Sequence, residues 1–384
     1  IRADYSDRDV PCCMWTTRTV TPTGFIGLTQ PPEVTAGPGN LGVKLSGNLY
    51  SDTISRGLSV QADWNLGGHT LTSITAGRDW LEEDANDADQ SVLPVFDLNF
   101  GTNDVSQFSQ ELRLASPAQD RFNWVAGLYW FDLKLTGEYD QGGTMGYPLP
   151  PGVILATHYR NDIRTKSFAA FGQANLDVSD RLRLFAGARY TREAYSLDYV
   201  RRGGMPPHEV TYIPPTAFTV SDDVDNWSWR LGAQYGLASS ANLYFSVARG
   251  FKGKALITDA SVTADSAVVP PEIPTAYELG LKGTWFEGRL YTNIALFRTE
   301  FDDFQAEVFD TTVMPNRYRV TSAGEVVTQG VEVDFLARSA QGLSVGGGIS
   351  YTDAFIGNAF IIPCYVGQTA AQGCSAGQLD ANGN

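Results

Sequence analysis

The chain has 384 residues, 43% of them hydrophobic and 18% charged, with a formal net charge of −15 and a sequence pI near 4.6. That balance excludes a nucleic-acid binder, which needs a basic footprint. The absence of a run of about 18 apolar residues excludes a membrane-spanning helix. It leaves open a membrane-spanning barrel, whose segments are short and only half apolar.

In chain order, residues 1–7 read as the tail of a strand, and residues 8–56 as a long irregular stretch rich in Pro, Gly and Thr. Residues 57–64 alternate, turn at Asn65-Leu66-Gly67-Gly68, and return through 69–80. A long acidic loop then runs to about Asp104 and includes EEDANDAD at 82–89. The next hairpin pairs 107–115 with 122–136, and residues 138–164 form another Gly/Pro-rich loop.

The clearest hairpin is SFAAFGQANLDVSDRLRLFAGARYT at 167–191. Phe168, Ala170, Gly172, Ala174, Leu176 and Val178 share one face, and Leu182, Leu184, Ala186, Ala188 and Tyr190 continue it after the turn. Arg181, Arg183, Gly187, Arg189 and Thr191 occupy the other face, as the period of two in a strand requires. A loop to Asp225 follows, then the hairpins 227–235/243–251, 277–285/289–304 and 330–338/343–352, with loops at 252–274, 307–325 and 353–384.

This pattern predicts an all-β chain of about thirteen antiparallel strands in which short turns and long loops strictly alternate. A soluble sandwich has no reason to collect every long connection at one end, whereas an outer-membrane barrel keeps short turns on the periplasmic side and long loops outside. Trp227 and Tyr235 lie eight residues apart on one face. That is about 26 Å along a strand, or about 20 Å vertically at a 40° tilt, close to the apolar band between aromatic girdles. Trp64 and Trp285 beside short turns, and Tyr190 and Tyr351 near long loops, complete the belt. The opposite face carries Glu111, Arg113, Arg183, Arg230, Glu278, Lys282, Glu332, Asp334 and Arg338, which suits a wet or plugged interior.

Motifs for chemistry are weak. Gly342-Leu343-Ser344-Val345-Gly346 matches GxSxG, but it lies early in an alternating strand and no His follows His208. His69, His158 and His208 have no metal-ligand spacing, and GFKGK at 250–254 lacks the phosphate-loop pattern. The acidic run 82–89 lacks the spacing of a calcium loop and reads as a solvated loop. No catalytic residue, cofactor or metal is expected. Cys364 and Cys374 are a candidate disulfide closing a small loop in an oxidising compartment.

FSQELRLAS at 108–116, WVAGLYWF at 124–131, FAAFGQANLDVSDRLRLFAGARYT at 168–191, YFSVARGFKGKA at 244–255, YELGLKGTWFEGRLYTNIALFRTEFDDFQ at 277–305 and QGVEVDF at 329–335 together resemble TonB-dependent outer-membrane receptors. The resemblance spans residues 57–384. It implies a 22-stranded barrel holding an N-terminal plug. Long extracellular loops would capture a scarce ligand, typically an iron–siderophore complex, with energy delivered by the TonB complex through a short box. Residues 1–384 are then expected to be an internal fragment of the barrel domain, with plug, TonB box and closing strands outside it. Outer-membrane lipid and lipopolysaccharide are expected neighbours, and nucleic acid is not. Ligand contacts are expected from loop aromatics, of which Tyr147, Tyr199, Phe309 and Tyr365 are the candidates. A passive porin and a secreted β-rich enzyme or adhesin are the alternatives.

Overall fold

The structure is a computed structural model, and it describes residues 1–11, 16, 34–89, 91–310, 317–339 and 342–357. Its strands are β1 (Arg2–Val10), β2 (Tyr50–Leu66), β3 (His69–Ala85), β4 (Leu98–Ala115), β5 (Phe122–Gly143), β6 (Ile154–Asp177), β7 (Leu182–Gly203), β8 (Glu209–Thr211), β9 (Thr216–Ala238) and β10 (Ala241–Arg249). There follow β11 (Ala255–Leu256), β12 (Val268–Val269), β13 (Ile273–Trp285), β14 (Leu290–Asp302), β15 (Gln305–Asp310), β16 (Arg317–Ser322), β17 (Val326–Arg338) and β18 (Ser344–Ile356). Among the described residues there is no α-helix, only a 3-10 turn at Ala264–Ser266.

Thirteen strands form one up-and-down antiparallel sheet in the order β1-β2-β3-β4-β5-β6-β7-β9-β10-β13-β14-β17-β18, and β8 pairs with β6 beside it. The small pairs β11–β12 and β15–β16 stand apart from it. Short turns and long connections alternate as expected. The β2–β3 turn is two residues, Gly67 and Gly68, both at positive φ (64° and 92°). Such a turn matches the twist of its strands only with residues that tolerate that region.

Outward faces are apolar where the sequence predicts lipid. Phe108, Trp130, Phe168 (46% exposed), Leu184, Trp227 (59%), Leu231 (50%) and Tyr235 are all exposed on one side. The upper aromatic row is Phe108, Trp130, Phe168, Tyr190 and Trp227, on β4, β5, β6, β7 and β9. In register, Phe108 pairs with Asp132, Trp130 with Phe168, Phe168 with Arg192, and Tyr190 with Trp227. The row therefore slips two residues from β4 to β5 and two from β6 to β7. At roughly 3.3 Å per residue and 4.8 Å per strand, four residues over four strand steps is a slope of about 35°. A level membrane boundary draws that line across strands tilted by about that angle.

The inner face is polar over the same height, with rings packed on inward glycines. Phe171 pairs with Gly127 and Phe185 with Gly232. A Cβ at either glycine would overlap the facing ring. Arg189 lies over Phe171 at 5.7 Å, and Arg230 over Phe185 at 4.8 Å.

Above the aromatic row the strands continue well past their predicted ends. β6 is 24 residues long and β9 is 23, so stretches expected as loops at 138–143, 154–164, 192–203 and 216–225 are paired backbone. The acidic stretch 82–89 also differs from expectation, since β3 runs to Ala85 and Asp87 is fully buried. Asp87 accepts hydrogen bonds from the backbone N–H groups of Ser46 and Gly47, both at 3.1 Å, and so pins another loop instead of facing water.

Candidate functional site on the upper inner wall

The inner face changes character above the aromatic row. On β7 the inward residues below it include Arg183 and Arg189; above it they include Tyr195, Leu197, Tyr199 and Arg201, all buried. These residues keep the parity of the lower strand, so the same alternation now presents an apolar wall. Leu197, Tyr199, Tyr159 and Ile213 form a core with Ile257, Ala260, Val262, Ala267 and Val269. The last five come from the connection between β10 and β13, which folds onto the wall as a cap.

Cross-strand rings carry the wall. Tyr139, Tyr159, Tyr199 and Phe218, one from each of β5, β6, β7 and β9, stack at centroid distances of 4.9, 6.0 and 5.0 Å. Neighbouring strands lie about 4.8 Å apart, so rings on adjacent strands meet face to face. Burial raises the phenolic pKa of Tyr159. The hydroxyl of Tyr139 donates to Asn103 Oδ1 at 2.5 Å.

Polar groups fasten the cap. The Tyr199 hydroxyl donates to the Asp259 carbonyl at 3.1 Å. Arg201, buried on the wall, donates from Nη1 to the Ala260 carbonyl at 2.7 Å and from Nε to the Pro214 carbonyl at 2.8 Å. One guanidinium thus holds two connections. At the root of the cap, Lys252 and Glu272 pair through backbone hydrogen bonds of 2.9 and 3.0 Å. Gln305 bridges both limbs, donating from Nε2 to the carbonyls of Gly253 and Pro270 at 2.8 Å each. Its own N–H donates to the buried Glu272 carboxylate at 2.9 Å.

Lys254 makes an ion pair with Asp222 and also donates to the Asp223 carbonyl at 3.1 Å. The lysine hydrogen bond holds the Asp222 carboxyl below its ordinary pKa. Gly253 passes so close to the Tyr195–Glu193 hydroxyl–carboxylate pair that any Cβ there would collide with both. The GFKGK run is therefore a backbone crossing that needs glycine at its centre.

A second fastening lies on the outer side of the same strands. His158 Nδ1 lies 2.6 Å from Asp140 Oδ1, and its Nε2 lies 2.8 Å from Glu209 Oε2. Two carboxylate acceptors are both satisfied when both ring nitrogens donate, so this arrangement favours the charged imidazole. Burial pushes its pKa down, but the two hydrogen bonds and the two negative charges outweigh that and raise it above the ordinary value. Glu209 belongs to β8, so His158 staples the 204–215 connection to the sheet.

The four expected contact residues fall in different places. Tyr147 lies in the β5–β6 connection and is 57% exposed. Tyr199 is 1% exposed and holds the cap. Phe309 falls in β15, with its side chain outside the described residues, and Tyr365 lies outside them altogether. Cys364 and Cys374 also lie outside them. Asp87, Asp89 and Asp97 bring carboxylate oxygens within 4.8 Å of one another. They accept hydrogen bonds from Ser46, Gly47 and Phe96, which makes them loop pins.

Tyr139, Tyr159, Phe218, Arg201 and Gln305 were missed as site residues. The signal that finds the first three is the inward parity of β5, β6 and β9 carried upward past the aromatic row. No sequence signal identifies Arg201 or Gln305, whose bonds to Ala260 and Gly253 span 59 and 52 residues.

The family model described as TonB dependent receptor-like, beta-barrel matches residues 15–373. Among curated proteins, the ferric-pyoverdine M114 receptor PbuA of Pseudomonas sp. (strain M114) is 28% identical over 198 residues, 50% of this chain and 21% of that protein. The ferric-pyoverdine 358 receptor of Pseudomonas putida is 27% identical over 223 residues, 56% of this chain and 24% of that protein. The chain thus spans a minor part of the length of these relatives. Among solved structures, the ferric yersiniabactin uptake receptor FyuA of Yersinia pestis superposes with a TM-score of 0.64 at 18% identity, covering 84% of this chain and 45% of that one. The siderophore receptor PiuA of Acinetobacter baumannii gives 0.59 at 14% identity, over 80% and 48%. These two likenesses concern the fold. With a lipid-facing aromatic row drawn at the strand tilt, a polar inner wall and a family match over nearly its whole length, the chain belongs to the TonB-dependent receptor β-barrel family of the Gram-negative outer membrane.

Proposed function

We propose that this chain is the larger part of the barrel wall of an importer that takes up an iron–siderophore complex with energy from the TonB system. The observation that carries the reading is the capped aromatic wall at the extracellular end, Tyr139-Tyr159-Tyr199-Phe218 under residues 255–269. It shapes one side of a vestibule from rigid strands, and the two curated relatives bear the names of ferric-pyoverdine receptors. In the full-length protein a plug domain and TonB box would lie outside residues 1–384 and would meet the polar inner face below the cap.

In this reading Tyr147 is a direct ligand contact at the rim, and Phe309 and Tyr365 are contacts on their own connections. Tyr199 acts at one remove by holding the cap. The Cys364–Cys374 disulfide would close a surface loop. Iron is cargo, and no catalytic step is assigned to any residue.

The test is growth under iron limitation. A strain lacking the gene should lose growth on one ferric siderophore of a panel and regain it with the gene, but only while TonB is present. Growth restored without TonB would replace the importer with a passive pore.

A further inference from the structure

The cap dries only part of the upper inner wall. One inward row runs Trp80-Val105-Leu135-Ile163-Leu197-Val220 across β3 to β9, each residue directly opposed to the next. Ile163, Leu197 and Val220 pack in the cap core, whereas Trp80, Val105 and Leu135 lie outside it and are partly exposed. One level up, the opposed row is Glu82-Asn103-Gly137-Asn161-Tyr199, and Asp84 stands on the same face two residues beyond Glu82. Successive inward residues on a strand are about 6.6 Å apart, so Trp80, Glu82 and Asp84 make a ladder of one ring and two carboxylates. Neither carboxylate has an ion pair among the described residues, and Glu82 accepts a 3.4 Å hydrogen bond from Asn103 Nδ2. Asp84 leans over Gly101 beside the Tyr139 ring, since a Cβ on that glycine would lie 2.9 Å from its Oδ1 and 3.0 Å from the ring. Burial, and after it Glu82, hold the Asp84 carboxyl above its ordinary pKa. Two like charges on a half-covered wall repel each other, and a cation between them removes that cost.

A second, independent observation lies further along the same row. Asn161 is 1% exposed, and neither its Oδ1 nor its Nδ2 has a hydrogen-bond partner. Its amide shares the notch over Gly137 with the edge of the Tyr139 ring: a Cβ there would lie 2.9 Å from Oδ1, 3.0 Å from Nδ2 and 2.8 Å from the ring. The Tyr139 hydroxyl reaches the other way, to Asn103. Tyr139 thus stands between an unpaired amide and two carboxylates without a counter-charge. A buried amide left without partners costs stability, so its presence on this wall points to a group that it meets. The missing counter-charge is organic and not a metal. Among the described residues, Asp87, Asp89 and Asp97 bring three ligating groups together, and Glu82 and Asp84 belong to no such cluster. The rings of Trp80 and Tyr139 on the same face suit an ammonium or guanidinium group, which aromatic rings attract.

We propose that Trp80, Glu82, Asp84 and Asn103 form a subsite for an ammonium or guanidinium group carried by the imported complex, and that Asn161 pairs with an amide of the same ligand once Tyr139 turns aside. Glu82, Asp84 and the Asn103 carbonyl oxygen accept charge-assisted hydrogen bonds from the cation. The Asn161 side chain offers a donor and an acceptor side by side, the complement of another amide. The proposal rests on the importer reading above and adds to it the charge class of the ligand.

The test is calorimetric titration of the full-length receptor with a panel of ferric hydroxamate and ferric catecholate complexes, each with a free terminal amine and with that amine acetylated. The amine form of a bound complex should bind about tenfold or more tightly than its acetylated form, as expected for hydrogen bonds to a charged group. E82Q/D84N should erase that preference, and E82Q alone, the variant to use if the double change impairs assembly, should reduce it. E83Q, on the outward face opposite Asp52, should leave it unchanged. N161L should weaken both forms several-fold while keeping or raising the melting temperature. Equal affinity for the two forms, or a preference that survives E82Q/D84N, would overturn the subsite. So would a lower melting temperature of E82Q/D84N without ligand together with equal weakening of both forms, because the cation would then be a basic side chain of the receptor itself. Lower stability with unchanged affinity in N161L would remove Asn161 from the site and leave it a buried-water contact. Binding of no complex in the panel would instead strike the importer reading.

Discussion

The lower and upper halves of the sheet share strands and parity but have opposite polarity. Below the aromatic row, β7 turns Leu184, Ala186 and Ala188 outward and Arg183 and Arg189 inward. Above it, Arg192, Asp198 and Arg202 face outward, and Tyr195, Leu197 and Tyr199 face inward. β6 makes the same exchange, from Ala170, Ala174 and Leu176 outward to Lys166, Arg164 and Arg160. The reason is a change of solvent on both sides at one height. Outside, hydrocarbon gives way to headgroups and water; inside, a wet lumen gives way to the dry underside of the 255–269 cap. A strand is half-buried in both regions, but the buried half switches.

The largest expected effect tests whether the upper inner wall is a true core. Tyr199→Ala removes a ring stacked on two others together with the hydroxyl that holds Asp259. The loss should be about 3–5 kcal/mol of cap docking. Limited proteolysis should then cleave within 255–269 while the barrel keeps its resistance to detergent. An uncleaved cap would mean that the wall and the cap are held independently.

Next is the lower outer face. Leu231 lies midway between Trp227 and Tyr235, so Leu231→Arg should cost about 2–4 kcal/mol, measured by denaturant unfolding in lipid. Leu184, beside the lower row where Leu182 pairs with Tyr235, should cost less when changed to Arg because depth governs the penalty. Equal costs would break the assignment of the membrane boundary.

A smaller effect is expected at the root of the cap. Gly253→Ala forces the Tyr195–Glu193 pair apart or lifts the crossing strand. The expected destabilisation is about 1–3 kcal/mol, in the range for overpacking. Faster amide exchange should follow near Gly253 and Gln305 but not in the β2–β3 hairpin.

The smallest sharpens the outer side of the upper half. The raised pKa of His158 means that its contribution is fully present below its ordinary value of 6.5 and is lost as pH rises through the folded value. Desolvation acts against Glu209, but the Met205 N–H and His158 outweigh it and lower its pKa. The Glu209 contribution is therefore present above its ordinary 4.5 and fades as pH falls through the folded value. Protection of the β6–β8 amides, taken relative to their intrinsic exchange rate at each pH, should be greatest between these limits and weaker on either side, and His158→Gln should flatten the profile. An unchanged profile in the variant would show that the staple is not what titrates.

The lower half was legible because each residue there faces an environment that alternation alone describes. In 168–190, apolar side chains meet lipid and Arg or Gln meet the lumen, so period and composition agree. In 192–203 the period persists but its apolar phase reverses, and across that reversal the pattern resembles a loop. The acidic run at 82–89 failed for a related reason: Asp87 accepts from the backbone of Ser46, a partner invisible to local reading. Tyr199, expected in a loop, belongs to a strand because Phe218 and Asn161 pair with it on either side, contacts made across sequence.

The amino-acid sequence by itself determined the strands below the aromatic row, their order, the side on which the long connections lie, and the parity that assigns each residue inward or outward. Parity follows from covalent geometry, since successive side chains must leave a strand on opposite sides. Only the tertiary structure decided what each side meets above that row, because the cap that dries the upper inner wall comes from residues some sixty positions further along the chain. A local pattern records a period, but the polarity of a face is set by whatever is packed against it.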